Sequence, residues 1–457
     1  MSTLKVDLDP VQKYNMPGPR YTSYPPATHF SDEVARDELF RRMRENAASE
    51  RDLSLYFHLP FCWSLCWFCG CTTVITADQK ASGRYLAYLK KELALAGEML
   101  NRRRKVVQLH FGGGTPTFLT PAEIRELGGM IRSQFEFGAA VEAGVEVDPR
   151  RLDRAHLEAL REVGFNRASM GVQDHNPVVQ KAVHRIQPFE QTQRVTEWIR
   201  ATGFESLNVD LIYGLPYQTP ESFARTLEQI LLLKPDRFAV FSYAHVPWMK
   251  PAQKILTDKA LPAPEVKLQL LKLTIETLTS AGYVYIGMDH FAREDDELAV
   301  AQRQKTLQRN FQGYSTRGGA DIYAFGMSSI SQADGIYWQN LKELPAYTAA
   351  LDANRLPLSK GYILTPEDHI RRQTIMRLMC DLSLTYAAMS ELLRIDFPQH
   401  FERELASLAD MEQDGLVERN SSGLNVTQAG RLFIRNIAMR FDPYNANNRP
   451  GRFSKTI

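Results

Sequence analysis

Between residues 53 and 288 short apolar runs alternate with longer amphipathic stretches, and this alternation limits the possible folds more than any other feature. Strands are predicted at residues 53–58, 106–111, 145–148, 167–172, 207–213, 238–244 and 284–288. Helices are predicted at residues 84–100, from a cap at Thr120, and at 154–163, 189–202, 222–233 and 265–281. Strands separated by single helices run parallel with right-handed crossovers. The chain is therefore predicted to form an α/β protein with a wound sheet or a barrel.

The two ends of the chain have a different character. Residues 17–26 read PGPRYTSYPP and predict an extended arm, and Ser31 is predicted to cap a helix that runs to about residue 46. After residue 359 the sequence predicts two helices, a hairpin around Asn420-Ser421-Ser422-Gly423 and a last helix at 430–440, which resembles a winged helix. The predicted domains are an arm and helix at 1–50, the α/β region at 51–359 and a small, mostly helical domain at 360–457.

Composition narrows the class of protein. The chain has 55 basic and 53 acidic residues, which argues against nucleic-acid binding through overall charge. No apolar run is long enough to span a bilayer, and the start Met1-Ser2-Thr3 lacks an export signal, so a cytoplasmic location is expected. Of the five cysteines, four fall between Cys62 and Cys71. Thiols clustered in this way predict metal binding or catalysis rather than disulfides.

The cysteine cluster reads FCWSLCWFCGC, with the spacing C-x3-C-x2-C-x-C. Thiolates are soft ligands that favour zinc or iron–sulfur clusters. Structural zinc usually takes two separated pairs of cysteines, and this sequence has no second pair. Three thiolates on one loop can instead hold a cubane cluster and leave its fourth iron open to a ligand, with Phe61, Trp63, Trp67 and Phe68 as a shield. A zinc knuckle and unligated core thiols are the alternatives.

Polar groups recur at the ends of the predicted strands. The segment at 110–116 reads HFGGGTP, where consecutive glycines let a ligand approach the backbone closely. Strand ends or interiors also carry Glu146 with Asp148, Gln173 with Asp174, Asp210, and Ala244 with His245. Each alone is compatible with an ordinary polar strand end. Because functional groups of parallel α/β folds gather at the carboxyl ends of strands, the set together predicts an active site there.

The C-x3-C-x2-C spacing resembles the signature of the radical S-adenosylmethionine (SAM) family. This resemblance implies a [4Fe-4S] cluster held by Cys62, Cys66 and Cys69. Its open iron would be chelated by the amino and carboxylate groups of SAM, and one electron from the cluster would cleave SAM to a 5′-deoxyadenosyl radical. The HFGGGTP segment matches the family motif for the methionine amino group.

Further motifs narrow the resemblance, over nearly the whole chain, to the oxygen-independent coproporphyrinogen III oxidase family. They are PGPRYTSYP at 17–25, Cys71, HFGGGTPT, EVDPR, SMGVQD, DLIYGLP, GMDHFA at 287–292 and RNFQGYST at 309–316. The family implies a partial (β/α)6 barrel of the radical SAM type, a helical C-terminal domain and two bound SAM molecules. By motif, the first SAM would contact Tyr56, Gly113, Glu146, Ala244 and Ile330. The second would contact Phe68, Gly114, Thr115, Gln173, Arg185 and Asp210, and Cys71 would not bind the cluster.

The resemblance also implies a reaction and its partners. Two propionates of coproporphyrinogen III would become vinyl groups, giving protoporphyrinogen IX in heme biosynthesis, in a monomer that receives electrons from flavodoxin or ferredoxin. Arg20, Arg309 and Arg317 are candidates to anchor the propionates. A related branch of heme-binding chaperones without oxidase activity is the alternative, but it lacks the PGPRYTSYP arm and the C-x-C ending. A second alternative is a nucleic-acid module on the winged helix, with Arg431, Arg435 and Arg440.

Overall fold

The computed structural model describes residues 4–34, 36–447, 453 and 455–456. The chain divides into two compact units. The larger unit comprises Phe30–Pro262 and Gly319–Ile363, and the smaller one comprises Met1–His29, Ala263–Gly318 and Leu364–Ile457. The domain limits predicted from the sequence, at 50 and 359, remain a prediction. None of the described helices is both long enough and apolar enough to cross a membrane.

Six parallel strands form the centre of the larger unit. They are β1 (Leu53–Leu59), β2 (Lys105–Gly113), β3 (Glu136–Val147), β4 (Arg167–Gln173), β5 (Ser206–Tyr213) and β6 (Arg237–Ser242). The helices Lys80–Ala96, Pro121–Gln134, Arg154–Glu162, Phe189–Ala201 and Pro220–Leu232 connect them in turn. The strands follow chain order, and β1 and β6 are not neighbours in the described sheet, so the barrel is open. The predicted parallel α/β fold is confirmed.

Alternate residues of the central strands face different surroundings. Along β4 and the second half of β5, partly exposed positions alternate with fully buried ones. Successive side chains of a strand point to opposite faces, so one face packs in the core and the other is accessible. The helix from Pro121 starts with the predicted capping box, in which Thr120 and Glu123 each accept a hydrogen bond from the other's backbone N–H. These local signals explain why the sequence predicts this region well.

Four strands that the sequence analysis did not predict extend the sheet beyond β1. They are β7 (Asp321–Phe325), β8 (Ile330–Ala333), β9 (Ile336–Asn340) and β10 (Leu358–Ile363). Strand β7 pairs with β1 in parallel, and β8, β9 and β10 follow as an antiparallel meander. Every residue of β7 and β9 is buried, so neither strand shows the alternation of polar and apolar residues by which strands are recognised.

Three predictions from the sequence are wrong in this region. The helix predicted from Ser31 begins at Arg36 instead, because the backbone of Ser31 exchanges two hydrogen bonds (3.0 and 2.9 Å) with that of Gly361 and is held extended. Strand β3 begins at Glu136, well before the predicted residue 145. Its first half was missed because the sequence Gly138-Ala139-Ala140 carries little strand propensity. The strand Tyr283–Gly287 is not a last parallel strand; it forms an antiparallel hairpin with His290–Arg293.

The smaller unit is mostly helical. Its longer helices are Pro264–Ser280, Glu297–Arg303, Pro366–Asp381, Tyr386–Leu393 and Ile434–Met439. The predicted hairpin is confirmed: Val417–Asn420 pairs with Gly423–Val426, and Ser383–Thr385 adds a third strand. The arginines considered for nucleic-acid contact are engaged within this unit. Arg431 donates to Gln302 (3.2 Å), Arg440 pairs with Asp410 (2.8 Å) and Arg435 is 5% exposed.

Shorter elements complete both units. In the larger unit these are Arg36–Ala47, Phe61–Cys62, Val74–Ile75, Gly97–Met99, Pro116–Phe118, Pro177–Ala182, Pro251–Ile255, Asp258–Ala260 and Leu344–Asp352. In the smaller unit they are Val11–Tyr14, Ala27–His29, Gln308–Asn310, Gly313–Ser315, Phe397–His400, Glu402–Ala406, Ala409–Gln413, Ala429–Phe433 and Pro443–Asn447.

The N-terminal arm packs into the smaller unit instead of lying on its surface. Tyr21 and Tyr24 are 1% and 0% exposed, and the Tyr21 hydroxyl donates to Asp442 (2.9 Å). The Arg435 guanidinium donates to the carbonyls of Pro19 (3.1 Å) and Gly18. The arm thus satisfies buried polar groups of the helical unit. Its phenols are part of the core and are not available to a ligand.

Candidate active site

One cavity opens at the carboxyl ends of β2 to β5. Its cavity volume is about 170 Å³. The cysteine loop contributes Cys62, Cys66, Phe68, Cys69 and Cys71 to its wall. The strand ends contribute Gly113, Gly114, Thr115, Glu146, Asp148, Ser169, Gly171, Gln173 and Asp210, and Arg150 and Arg185 complete the wall. Distant segments of the chain therefore meet where the parallel topology predicted a site.

Most of the predicted site residues lie in this wall, and three do not. Tyr56, on β1, is not among the residues of the wall, but it lies near Glu146, which is. A Cβ added at Gly112 would lie 3.0 Å from both of these side chains. Ala244 is exposed beyond the end of β6, and Ile330 is half-buried at the start of β8. Their contacts with SAM remain predictions.

Two glycines let the cysteine loop approach the end of β2. A Cβ at Gly114 would lie 2.4 Å from the carbonyl oxygen of Pro60, and Gly113 has φ +118° with the His58 ring beside it. The backbone N–H groups of Gly114 and Thr115 donate to the carbonyls of Leu59 (2.9 Å) and Phe61 (2.8 Å). Only glycine fits so close a backbone approach at residue 114. The glycine run thus positions the start of the cysteine loop and also borders the cavity.

The thiols differ in their surroundings. Burial raises the pKa of Cys62 to about 11, although Thr115 Oγ1 lies 3.3 Å from its sulfur. Hydrogen bonds from Cys71, including its backbone N–H at 3.4 Å, lower the pKa of Cys69. Cys380 is 1% exposed in an apolar cluster of the smaller unit, and burial raises its pKa to about 12. It has the surroundings of an inert core thiol.

The donor set fits an iron–sulfur cluster. Cys62, Cys66 and Cys69 line the same cavity, and each thiolate of a cubane binds a different iron, so the three sulfurs need not converge on one point. Among the described residues, no three His, Cys, Asp or Glu side chains are arranged to hold a single metal ion. Aromatic rings pack behind the loop, with Trp63 4.5 Å from Phe118 and Trp67 stacked on His184 at 5.2 Å between ring centroids.

Charged groups surround the sulfur of Cys66. Arg150 Nη2 lies 3.4 Å and Arg185 Nη1 3.5 Å from this sulfur, and both guanidiniums also contact Asp148. Burial would raise the pKa of Asp148, but the charges of Arg185 and Arg150 outweigh it and hold that pKa well below its usual range. Sequence analysis missed Arg150 as a site residue, although it closes the EVDPR motif.

Two further carboxylates, Glu146 and Asp210, line the wall. Glu146 accepts from the Gly113 N–H (3.1 Å), and this bond together with His110 outweighs burial and lowers its pKa. Burial and the charge of Glu146 raise the pKa of Asp210 to about 7, against hydrogen bonds from Asn208 (2.8 Å) and Ser169 (3.3 Å).

The side chain of Gln173 has an unmet hydrogen-bonding group. Its backbone adopts φ +70°, and its buried Oε1 has no partner among the described residues. A buried polar atom without a partner is costly, and a ligand in the cavity can supply the missing donor. The arrangement suits a polar ligand that carries hydroxyl or amino groups, as SAM does.

Thiol loop, glycine run and open parallel barrel together define a radical SAM enzyme. A family model described as the radical SAM superfamily matches residues 56–230, and one described as the HemN C-terminal domain matches 364–433. The chain is 46% identical over 460 residues to oxygen-independent coproporphyrinogen III oxidase of Escherichia coli strain K12, covering 100% of both chains. It is 44% identical over 455 residues to the enzyme of that name from Helicobacter pylori strain J99, covering 99% of each.

A solved structure extends this similarity to the fold. The structure, described as "Coproporphyrinogen III oxidase (HemN) from Escherichia coli is a Radical SAM enzyme", has a TM-score of 0.91 at 44% identity. The match covers 97% of this chain and 100% of that one. The chain belongs to the family of oxygen-independent coproporphyrinogen III oxidases, and the resemblance inferred from its motifs is confirmed.

Proposed function

We propose that this chain converts two propionates of coproporphyrinogen III to vinyl groups, giving protoporphyrinogen IX, with a [4Fe-4S] cluster held by Cys62, Cys66 and Cys69. The observation that carries the proposal is the convergence of three cysteines and the Gly113–Thr115 run on one cavity. When bound, the cluster and SAM supply a 5′-deoxyadenosyl radical that takes a hydrogen atom from the propionate β-carbon. Transfer of one further electron to an external electron acceptor, with release of CO2, would then leave the vinyl group.

The chemistry explains why no acid–base residue is assigned. The β-hydrogen is far too weak an acid for any side chain to remove it as a proton. The residues of the wall therefore act by binding, orientation and exclusion of water. Trp63 packs on Phe118 and Trp67 stacks on His184, so aromatic rings lie beside the thiols of the cysteine loop.

We also propose two SAM subsites in the wall, as the family motifs imply. Gly113 and Glu146 would serve the first, together with Tyr56, Ala244 and Ile330. Gln173 and Asp210 would serve the second, together with Phe68, Gly114, Thr115 and Arg185. The free Oε1 of Gln173 supports a ligand beside Asp210, because it lacks a donor among the described residues. The electron donor would be flavodoxin or ferredoxin, and the enzyme a cytoplasmic monomer.

Changing Asp210 tests the second subsite. A carboxylate attracts a cationic ligand only when ionised, and the pKa of Asp210 is about 7. We therefore expect SAM affinity at this subsite to rise as the pH increases from 6 to 8. In Asp210→Asn, equilibrium dialysis on the reconstituted protein should count about one SAM per chain instead of two, with no such pH dependence. Two SAM molecules bound equally well by Asp210→Asn would contradict the assignment.

Arg309 has the surroundings expected of a propionate anchor. It is 7% exposed, its guanidinium lies 4.7 Å from the Tyr314 ring centre, and Nη2 donates to the Arg20 carbonyl (3.2 Å). Its Nε and Nη1 have no partner among the described residues. Arg20 itself pairs with Asp289, and Arg317 is half-buried. Arg309 therefore has donors left for a carboxylate.

Turnover of the porphyrinogen tests the proposed function. Reconstituted protein, reduced without oxygen in the presence of SAM, should release two CO2 and form protoporphyrinogen IX while consuming about two SAM per substrate, one for each hydrogen removed. Product is measured by chromatography after oxidation to the porphyrin, and CO2 from labelled carboxylates. Cleavage of SAM with heme binding but no decarboxylation would instead indicate the chaperone branch.

A further inference from the structure

We propose that Arg150 and Asp148 set the reduction potential of the cluster through Cys66, Arg150 raising it and Asp148 lowering it. The inference rests on the proposed cluster ligands. It gives a function to a residue pair that has no part in the predicted SAM contacts.

The pair is held rigidly beside the thiol. Arg150 Nη2 and Nε donate to the two oxygens of Asp148 at 2.6 and 3.0 Å. The same Nη2 lies 3.4 Å from the sulfur of Cys66. Gln191 donates to the Arg150 carbonyl (3.2 Å), which fixes the backbone from the other side. A forked guanidinium locked on a carboxylate has little freedom to leave the sulfur.

The pair is also largely removed from water. The side chains of Arg150 and Asp148 are 17% and 14% exposed, and Cys66 is 8% exposed. Charges in such surroundings are weakly screened and act strongly on a neighbouring group. Reduction adds one negative charge to the cluster. A cation and an N–H donor at a ligand sulfur stabilise the reduced form, and a carboxylate opposes it.

A purely structural role is the alternative. Asp148 also accepts from the backbone N–H of Arg150 (3.0 Å), so the pair helps to shape the turn after β3. A turn-forming role affects folding and cluster retention but predicts no opposite shifts in potential for the two residues. The sign of those shifts therefore separates the two roles.

The chain offers a matched control in the next residue. Arg151 is exposed, and its guanidinium lies 5.6 Å from the Trp63 ring centre, so it contacts an aromatic ring of the loop instead of a thiol. Arg151→Gln removes one positive charge at nearly the same place in the sequence. This variant shows how far the loss of a positive charge that does not contact a thiol changes the reduction potential of the cluster.

The experiment is a potentiometric titration of full-length protein, reconstituted without oxygen and without SAM, followed by the electron paramagnetic resonance signal of the reduced cluster. Iron and sulfide are counted first, so that only equally loaded samples are compared. We expect Arg150→Gln to lower the ratio of reduced to oxidised cluster at least tenfold at a fixed potential, which is 59 mV for one electron. Asp148→Asn should shift the potential in the positive direction, and Arg151→Gln should shift it little.

Equal potentials for Arg150→Gln and Arg151→Gln would overturn the inference. If Arg150→Gln does not retain the cluster, Asp148→Asn decides, since a positive shift supports the inference and an unchanged potential overturns it. A wild-type protein that binds no iron would instead contradict the proposed cluster ligands. Failure of the inference and failure of the proposed function are therefore distinguishable.

Discussion

Alanine at Cys62, Cys66 or Cys69 should leave the protein without an iron–sulfur cluster and without turnover. Each of the three thiols lines the cavity and would bind a different iron, so loss of any one of them would leave one iron of the cluster without its protein ligand. Wild-type protein prepared without oxygen should be brown and contain about four iron and four sulfide per chain. The measurement is iron and sulfide content together with the visible absorption spectrum.

Two other cysteines serve as controls for this result. Cys380→Ser should retain the cluster and turnover, because Cys380 lies in an apolar cluster of the smaller unit. Cys71→Ala should also retain the iron, because Cys71 is predicted to lie outside the ligand set. Zinc in place of iron, in protein from iron-replete cells, would contradict the cluster, and loss of iron in Cys380→Ser would contradict the ligand assignment.

Removing the carboxyl group of Glu92 should cost about 3 kcal/mol or more of stability. Glu92 is 3% exposed on the helix Lys80–Ala96. It accepts from the Gly326 N–H (2.8 Å), the Asn340 amide (2.6 Å) and the Tyr347 hydroxyl (2.6 Å). In Glu92→Ala all three buried donors lose this acceptor. The effect is measured by urea denaturation, with Glu126→Ala, an exposed helix position, as a control expected within about 0.5 kcal/mol of wild type.

Glu92 should also give the stability a definite pH dependence. Burial raises its pKa from 4.5 to about 7, although the three hydrogen bonds oppose this shift. The folded state therefore holds the proton more tightly than the unfolded one. The stabilisation that comes from this raised pKa is fully present below about pH 4.5 and is lost as the pH rises through about 7. Glu92→Gln should lack this dependence, and an identical pH dependence in wild type and Glu92→Gln would contradict the account.

The three groups that donate to Glu92, on Gly326, Asn340 and Tyr347, lie in a part of the fold that was not predicted from the sequence. Strands β7 and β9 are buried on both faces, so DIYAF and IYWQN show no alternation of polar and apolar residues. The pairing of β7 with β1 also depends on contacts between residues far apart in the chain. The six central strands were predictable because they alternate with helices, three of which carry a capping side chain of their own, at Thr120, Asp153 and Thr219. Prediction from local sequence fails at Ser31, because a β-bridge to Gly361 outweighs the propensity of Ser31 to cap a helix.

The site was predictable where a short motif carries the chemistry. The spacing of the cysteines and the glycine run lie within single segments, and topology brings the strand-end carboxylates to them. Arg150 was missed because an arginine after a proline has no distinctive pattern, and its role depends on a sulfur 84 residues away in sequence. The burial of Tyr21 and Tyr24 was missed because prolines predict an extended backbone but not what covers it.

Hydrogen transfer from the propionate β-carbon to the 5′-deoxyadenosyl radical can be followed by isotopic labelling. Coproporphyrinogen III deuterated at the β-carbons of its propionates is turned over by the reduced enzyme with unlabelled SAM. The 5′-deoxyadenosine formed should carry one deuterium from the substrate, as measured by mass spectrometry. Vinyl product formed alongside unlabelled 5′-deoxyadenosine would contradict this transfer.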